Sequence, residues 1–594
     1  MRPVILRWIQ RAEQTLKGLN ASLTAARVLQ AANTGSPRKR EECQTAVQGH
    51  PRTGPGGGAR AHMSPTKWKR WTAGSPDHSR HAQRPPRFDD SADSDQFRRP
   101  LGAMSWLLVA LSAVGALFVA QAVSSFLRLR HISGPRWAAW TNLWMVFKQL
   151  NGRMHLILHD LIKTHGPIAR IAPNWVVCGD PSELRRIWAV RSPWTRSWWY
   201  RGMRIDPYRD SSFSTIDDTL HNAIRNKISP GYGGKDVDDV HQLIDEQVKN
   251  LITLIGNQLS NSRDAGVIDL AEKIQYFSLD VISSLAFGKT FGYMELNQDK
   301  FGYIEMAGKT VYILVSTTLI PGVISTIQSP YLRWFVPSVK DMGGIGDIIR
   351  FAEDVVAQRF GNKPVVKRDM LGSLVAHGLS QKETECEALV QMIAGSDTTA
   401  TAIRSTILFI ITSPHVYVRL QNEIDAAAKA GRISSPITHA EAQAFEYLQA
   451  VILEGLRLWP PAAALYPKVC KTDQIVCGVT IPAGTNVAWS PWTIMRNRDV
   501  FGEDADVFRP DRWLGSPKTK QMEQTVMMAF AGGSRWECLG KNIAMIELNK
   551  VFVELFRRFD FTLVDPTNPW KSFNAGLFTQ SDLNVQVAWR PNPS

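Results

Sequence analysis

The chain has 594 residues, 44% of them hydrophobic, enough to bury a large core. Its formal net charge is +15, but residues 1–100 hold 18 Lys/Arg against 8 Asp/Glu, so most of the excess belongs to an N-terminal tail and the case for a nucleic-acid partner of the body is removed. The six cysteines (43, 178, 386, 470, 477 and 538) are scattered without a C-x-x-C, which argues against a disulfide framework or a zinc cage and suits a reducing compartment.

Residues 1–103 read as a disordered basic tail. Met1–Arg40 is Arg-rich and nearly free of acid, like a mitochondrial transit peptide, and residues 48–100 are rich in Gly, Pro, Ser and Arg. Three readings of the tail stand: an artefact of start-site choice with the mature chain beginning near Met104, a solvated extension, or an organelle address. Trp106 to Leu127 is free of charge and spans about 33 Å as a helix, the thickness of a bilayer core. Residues 104–127 are therefore predicted to form a transmembrane helix. Arg128, Arg130 and His131 follow, and by the positive-inside rule the body, residues 128–594, is expected in the cytosol.

Within the body, Met154–His165 and Pro181–Trp188 read as helices, with strands at 168–171 and 176–178 between them. His221 and Arg225 are spaced to share one helix face. A long helix is expected from the capping pair Ser380/Glu383 to just before Pro414. Its centre, Ile393-Ala-Gly395-Ser-Asp397-Thr398-Thr399, is locally poor for a helix, and a local rule broken there marks a candidate functional site. Leu448, Ile452 and Leu456 mark another helix that two prolines end, with Glu454 and Arg457 on one face. Its apolar flanks predict burial, which demands further partners; Arg512 in Phe508-Arg-Pro-Asp-Arg512-Trp513 is a candidate. Residues 475–481 and 486–488 read as a hairpin around Pro482-Ala-Gly-Thr485. The chain then reaches Phe530-Ala-Gly-Gly-Ser-Arg535-Trp-Glu-Cys538-Leu-Gly540, a glycine-rich loop with a lone cysteine before a helical run. A thiolate that ligates alone suits a haem iron, and the helix start behind it supplies N–H groups that favour the anion.

Glu454, Arg457 and Arg512 in order, the Gly395–Thr399 segment, the His221/Arg225 pair and the Cys538 loop together resemble the cytochrome P450 family over roughly residues 104–590. The resemblance implies a mainly α fold with a small β region, holding haem b, with Cys538 as the axial ligand of the iron. It implies that Thr398 hydrogen-bonds dioxygen, that Asp397 relays protons and that Gly395 opens the groove over the haem. It also implies that His221, Arg225 and Arg535 reach the propionates, that Phe530 supports the cysteine loop, and that Glu454, Arg457 and Arg512 form a structural network. The loop departs from the family pattern: Phe530 is eight residues before Cys538, Ser534 stands at the usual Gly position, and Arg535 lies one residue further back than usual. Either one residue is inserted or two are substituted.

The activity implied is monooxygenation with O2 as co-substrate. Electrons would come from NADPH-cytochrome P450 reductase, with cytochrome b5 as a second donor, since no G-x-G-x-x-G opens a helix here to bind NADPH. Residues 134–143 and 170–177 resemble fungal members of the pisatin demethylase-like group, which implies a lipophilic substrate in secondary-metabolite biosynthesis. The expected location is the endoplasmic reticulum membrane, single-pass, with mitochondria as the alternative. Ala462–Tyr466, Asp206–Phe213 and Leu577–Phe578 are candidate pocket segments. The competing readings are an isomerase or dehydratase of the same fold that needs no reductase, and a non-catalytic haem protein.

Overall fold

The computed structural model describes residues 99–591 except 207, 262–265, 305–311, 313–314, 330 and 332–344. The transit-peptide and disorder readings of the tail fall almost wholly on residues 1–98, outside the described residues.

The nine helices used below are α1 (Arg99–Arg128), α2 (Met154–His165), α3 (Pro181–Trp188), α4 (Asp218–Tyr232), α5 (Val240–Asn261), α6 (Leu270–Phe287), α7 (Gln381–Ile411), α8 (Glu446–Leu458) and α9 (Lys541–Arg558). Local chemistry sets their starts. Asp180 accepts from the N–H groups of Ser182 and Glu183 with Pro181 in the first turn of α3. Asp217 caps α4 and Asp269 caps α6. Ser380 and Glu383 form a reciprocal capping box on α7. The central helix is α7, buried along most of its length and packed against α6, α8 and α9. It runs without interruption through Gly395–Thr399, so the locally poor segment does not break it; packing on several sides outweighs weak propensity.

Among the described residues, twelve strands form the minor part of the fold. A five-stranded sheet has the order β1 (Ile168–Ala172), β2 (Trp175–Cys178), β8 (Asn486–Trp489), β5 (Lys468–Val469), β3 (Thr195–Arg196). A three-stranded sheet joins β4 (Val267–Asp269), β12 (Asn584–Trp589) and β9 (Phe559–Leu563). Two hairpins complete the set, β6 (Gln474–Val476) with β7 (Val479–Ile481), and β10 (Lys571–Asn574) with β11 (Phe578–Ser581).

Two expectations are corrected. The hairpin turn lies at Cys477-Gly478, both with positive φ (51° and 75°), and not at residues 482–485. A two-residue turn with both φ positive matches the twist of paired strands. The following strand, β8, leaves the hairpin and pairs in parallel with β2. The predicted membrane span falls inside α1, but among the described residues no helix is long and apolar enough to cross a membrane. The C-terminal end of α1 is instead docked on the body. Arg170 donates to the carbonyls of Ser125 (2.9 Å) and Phe126 (3.2 Å), and Phe126 stacks on Trp140 at 4.5 Å.

Candidate active site

The cysteine loop begins as a single 3-10 turn, Met527–Phe530. Ala531 (φ 52°) and Gly533 (φ 76°) then turn the chain through left-handed backbone. Ser534 Oγ donates to Ala531 O at 2.6 Å and accepts from Trp536 N at 3.1 Å. The loop closes where Cys538 N donates to Phe530 O at 2.8 Å. The eight-residue separation is thus accommodated by the Ser534 turn, and Phe530 supports Cys538 through its carbonyl. The Cys538 sulfur accepts from the N–H groups of Gly540 and Lys541 at the start of α9. Burial still pushes the thiol up from its usual value, against those two donors and the Arg225 charge. The residue as a whole is nevertheless exposed, and it borders a cavity of about 270 Å³ lined by Arg225, Tyr232, Glu537, Cys538 and Lys541 among others.

Beside the loop lies a cluster of cations, Arg196 and Lys468 buried and Arg225 and Arg535 half-buried. Arg535 donates to the carbonyls of Ser192 (2.9 Å) and Trp194 (3.1 Å) and pairs with Asp218 at 3.3 Å, but its Nε has no partner. Arg196 donates to Ser212 O (2.8 Å) and Thr215 O (3.1 Å), and its Nε is likewise unpartnered. Lys468 is fully buried with no acceptor for Nζ, which rests 3.0 Å from the Trp536 ring centroid and 4.0 Å from that of Trp188. Burial drives its pKa well below the lysine value. Arg225 donates to Glu537 O at 2.7 Å. His221 is buried; desolvation first, then the Arg196 charge, bring it down to about 3, so it is neutral at pH 7 and can donate from one ring nitrogen.

A buried cation without a partner costs several kcal/mol, and here Lys468 Nζ, which rests on Trp536 of the cysteine loop, and the Nε atoms of Arg196 and Arg535 are buried donors left unanswered. Two carboxylates would satisfy them, which is the chemistry of haem propionates; a lone, N–H-supported sulfur next to them suits the iron. The residues therefore fit haem. Sequence reasoning missed Lys468 and Arg196. The available signal was a single cation set among apolar and aromatic neighbours, Leu465-Tyr-Pro-Lys468-Val-Cys and Trp194-Thr-Arg196-Ser-Trp-Trp-Tyr200.

Glu454 and Arg457 are both wholly buried and pair at 2.8 Å. Arg512 Nε donates to Glu454 Oε1 at 2.9 Å, and Trp513 Nε1 to Oε2 at 3.0 Å. Arg457 spends its remaining donors on the carbonyls of Met495, Ala505 and Val507. Every charge is answered, which is the condition under which a buried ion pair is tolerated.

On α7, Thr398 Oγ1 donates to Ala394 O at 2.7 Å. Ala394 is exposed although it lies mid-helix, while Ser396 and Thr399 are buried. Asp397 Oδ1 accepts from Gln275 Nε2 at 2.8 Å. Burial raises its carboxyl to about 6, against the Arg404 charge and the Gln275 bond. At Gly395 a Cβ would meet Ile282 Cδ1 at 2.8 Å, so the missing side chain allows close packing of α7 on α6. Of the pocket segments, Ala462 bridges to Leu577, but Ala463 and Phe578 belong to a core with Trp492. Ser212 in the 206–213 segment closes on α7 by donating to Glu387.

The family model for cytochrome P450 matches residues 133–589. A cytochrome P450 monooxygenase, ABA1, of Pyricularia oryzae is 37% identical over 82% of this chain and 98% of its own. Cytochrome P450 monooxygenase abl1 of Leptosphaeria maculans is 35% identical over 82% and 89%, and aba1 of Botryotinia fuckeliana 34% over 77% and 92%. The chain belongs to the cytochrome P450 family and is a monooxygenase of the kind its fungal relatives are named for.

Proposed function

We propose that this protein is a haem-thiolate monooxygenase that oxidises a lipophilic small molecule in fungal secondary metabolism, with electrons from an NADPH-dependent reductase. The observation that carries the reading is the set of unanswered buried donors on Lys468, Arg196 and Arg535, two of them packed on Trp536 in the loop that ends at the exposed Cys538. Cys538 would hold the iron, with Gly540 and Lys541 N–H groups steadying the thiolate. Lys468, Arg196, Arg535, Arg225 and neutral His221 would hold the propionates. When bound, haem supplies O2 binding and O–O cleavage. Thr398, fixed by its bond to Ala394 O, and Asp397, ionisable near neutral pH, would deliver the protons. Location at the endoplasmic reticulum with the body in the cytosol is part of the proposal and rests on the basic residues Arg128, Arg130 and His131 that follow the charge-free segment. The choice of substrate class rests on the resemblance of residues 134–143 and 170–177 to the pisatin demethylase-like group.

The test uses the full chain co-expressed with a reductase. The wild type is expected to show the reduced-CO absorbance band of a thiolate-ligated haem, and Cys538→Ala to lose it. Retention of the band in a folded variant would overturn the ligand assignment. Turnover without NADPH would shift the reading to an isomerase or dehydratase. Untargeted metabolite comparison in a host that makes terpenoid, polyketide or alkaloid precursors would identify the substrate.

A further inference from the structure

Buried polar side chains line up behind Asp397. Gln275 on α6 gives one amide hydrogen to Asp397 Oδ1 at 2.8 Å. Its Oε1 accepts from Arg404 Nη2, two turns further along α7. Arg404 is pinned in turn: Nε donates to Ala271 O at 2.9 Å and Nη1 to Gln580 Oε1 at 3.3 Å. Gln275 and Arg404 are each 3% exposed.

The order of atoms in this row is fixed by chemistry. A guanidinium carries only donors, so the amide end that meets Arg404 must be oxygen. The NH2 end is left for Asp397, and the amide has one permitted orientation. A donor aimed at Oδ1 favours the ionised carboxyl, whereas burial favours the protonated one. Burial raises Asp397, the Arg404 charge opposes it, and the Gln275 bond opposes it further; the balance lies at about 6. Two other titratable groups take part. Tyr303, whose hydroxyl meets Ser396 Oγ at 3.3 Å, feels the Asp397 charge, and Asp269 at the start of α6 faces Arg404. Arg404, although brought down to about 10 by burial, stays charged at neutral pH.

We propose that Arg404 and Gln275 are positioning residues for proton delivery: the guanidinium fixes the amide, and the amide holds Asp397 Oδ1 on the α6 side of α7 in a form that can give up and regain a proton. The inference rests on the relay role given to Asp397 above. Neither residue touches the reacting atoms; both act through Asp397.

The experiment compares the haem-loaded full chain with Gln275→Leu, Gln275→Glu and Asp397→Asn, each supplied with NADPH and reductase. One readout is the infrared band of the protonated carboxyl, assigned by its loss in Asp397→Asn and followed against pH. The other is peroxide released per NADPH oxidised, with the reduced-CO band as the check on the haem site. In the wild type the band should titrate near 6, and in Gln275→Leu about one unit higher, since a donor to the charged form is gone. Gln275→Glu keeps a partner for Arg404 but sets a second carboxylate beside Asp397, so it too should titrate higher, and it carries the comparison if the Leu variant does not fold. Both variants should release severalfold more peroxide with the CO band unchanged. Titration of either folded variant at the wild-type pH would overturn the clamp. If the titration moves but Asp397→Asn leaves peroxide release unchanged, the relay role of Asp397 fails, and the catalytic part of the inference falls with it.

Discussion

Lys468 Nζ rests on two indole rings and meets no acceptor. In the absence of an anionic partner, an ammonium there is a liability, and methionine would fill similar volume without a charge. Lys468→Met is therefore expected to stabilise the haem-free protein by about 1–3 kcal/mol in denaturant unfolding. The same change should weaken haem retention roughly tenfold, because a charge-assisted bond to a propionate is lost; transfer of haem to an apoprotein acceptor measures it. The folded-state pKa of Lys468 is depressed, so the unfolded chain binds the extra proton. Haem-free wild type should thus gain stability as pH rises toward the ordinary lysine value of 10.5, and the variant should lose that slope. Unchanged haem retention would remove Lys468 from the anchor set. The contrast with Glu454 shows what the sequence could carry. Glu454 and Arg457 lie three apart on one helix, so their pairing follows from helical geometry. Lys468 and Arg535 are far apart in the chain and come near one another only because β5 places one beside the loop that carries the other.

Helix α7 touches its neighbours where side chains are smallest. A Cβ on Gly455 of α8 would lie 2.0 Å from Thr406 Oγ1 and 2.9 Å from Thr406 Cβ on α7. The overlap reaches the Thr406 backbone-proximal atoms, so rotation of a side-chain end cannot relieve it. Gly455→Ala gains about 1 kcal/mol of helix propensity, yet overpacking costs about 1–3 kcal/mol and can exceed that. Gly455→Ala is expected to lower the thermal midpoint, and Thr406→Ala in the same chain to restore part of it by removing Oγ1; additive losses in the double variant would show that the two sites do not meet. Capping and periodicity made α2, α3, α7 and α8 legible, since Ser380/Glu383 and Asp180-Pro181 act within one turn. The β region was less so. Cys477-Gly478 carries no Asn-Gly or Asp-Gly signature, while Pro482-Ala-Gly-Thr485 does look like a turn, and only the parallel partner β2 settles where β8 belongs. Gly395 was open to the sequence only in part: a glycine in a helix points to a close approach, and its neighbour, Ile282 of α6, is set by tertiary packing.

His155 ties distant parts of the chain together. It lies on α2 near the start of the described body, with its ring edge-on to Trp492 at 4.7 Å and to Phe578 of β11 at 5.0 Å. Burial in this aromatic junction, with Arg496 and Arg153 adding to it, brings its pKa from 6.5 down to about 3. The unfolded chain therefore takes up this proton first. The stability held by neutral His155 is complete above pH 6.5 and is lost progressively as pH falls toward 3. Neutral His221 at the cation cluster, also brought to about 3, adds a loss of the same sign over the same range. Acid should thus open the molecule at the α2–β11 junction and at the cation cluster together. Phe at position 155 keeps the edge-on ring contacts and has nothing to protonate. His155→Phe is expected to match the wild type in denaturant midpoint at about pH 7 and to retain about 2 kcal/mol more of its stability at about pH 5. Parallel acid losses in the two proteins would mean that this junction does not govern how the whole molecule responds to pH.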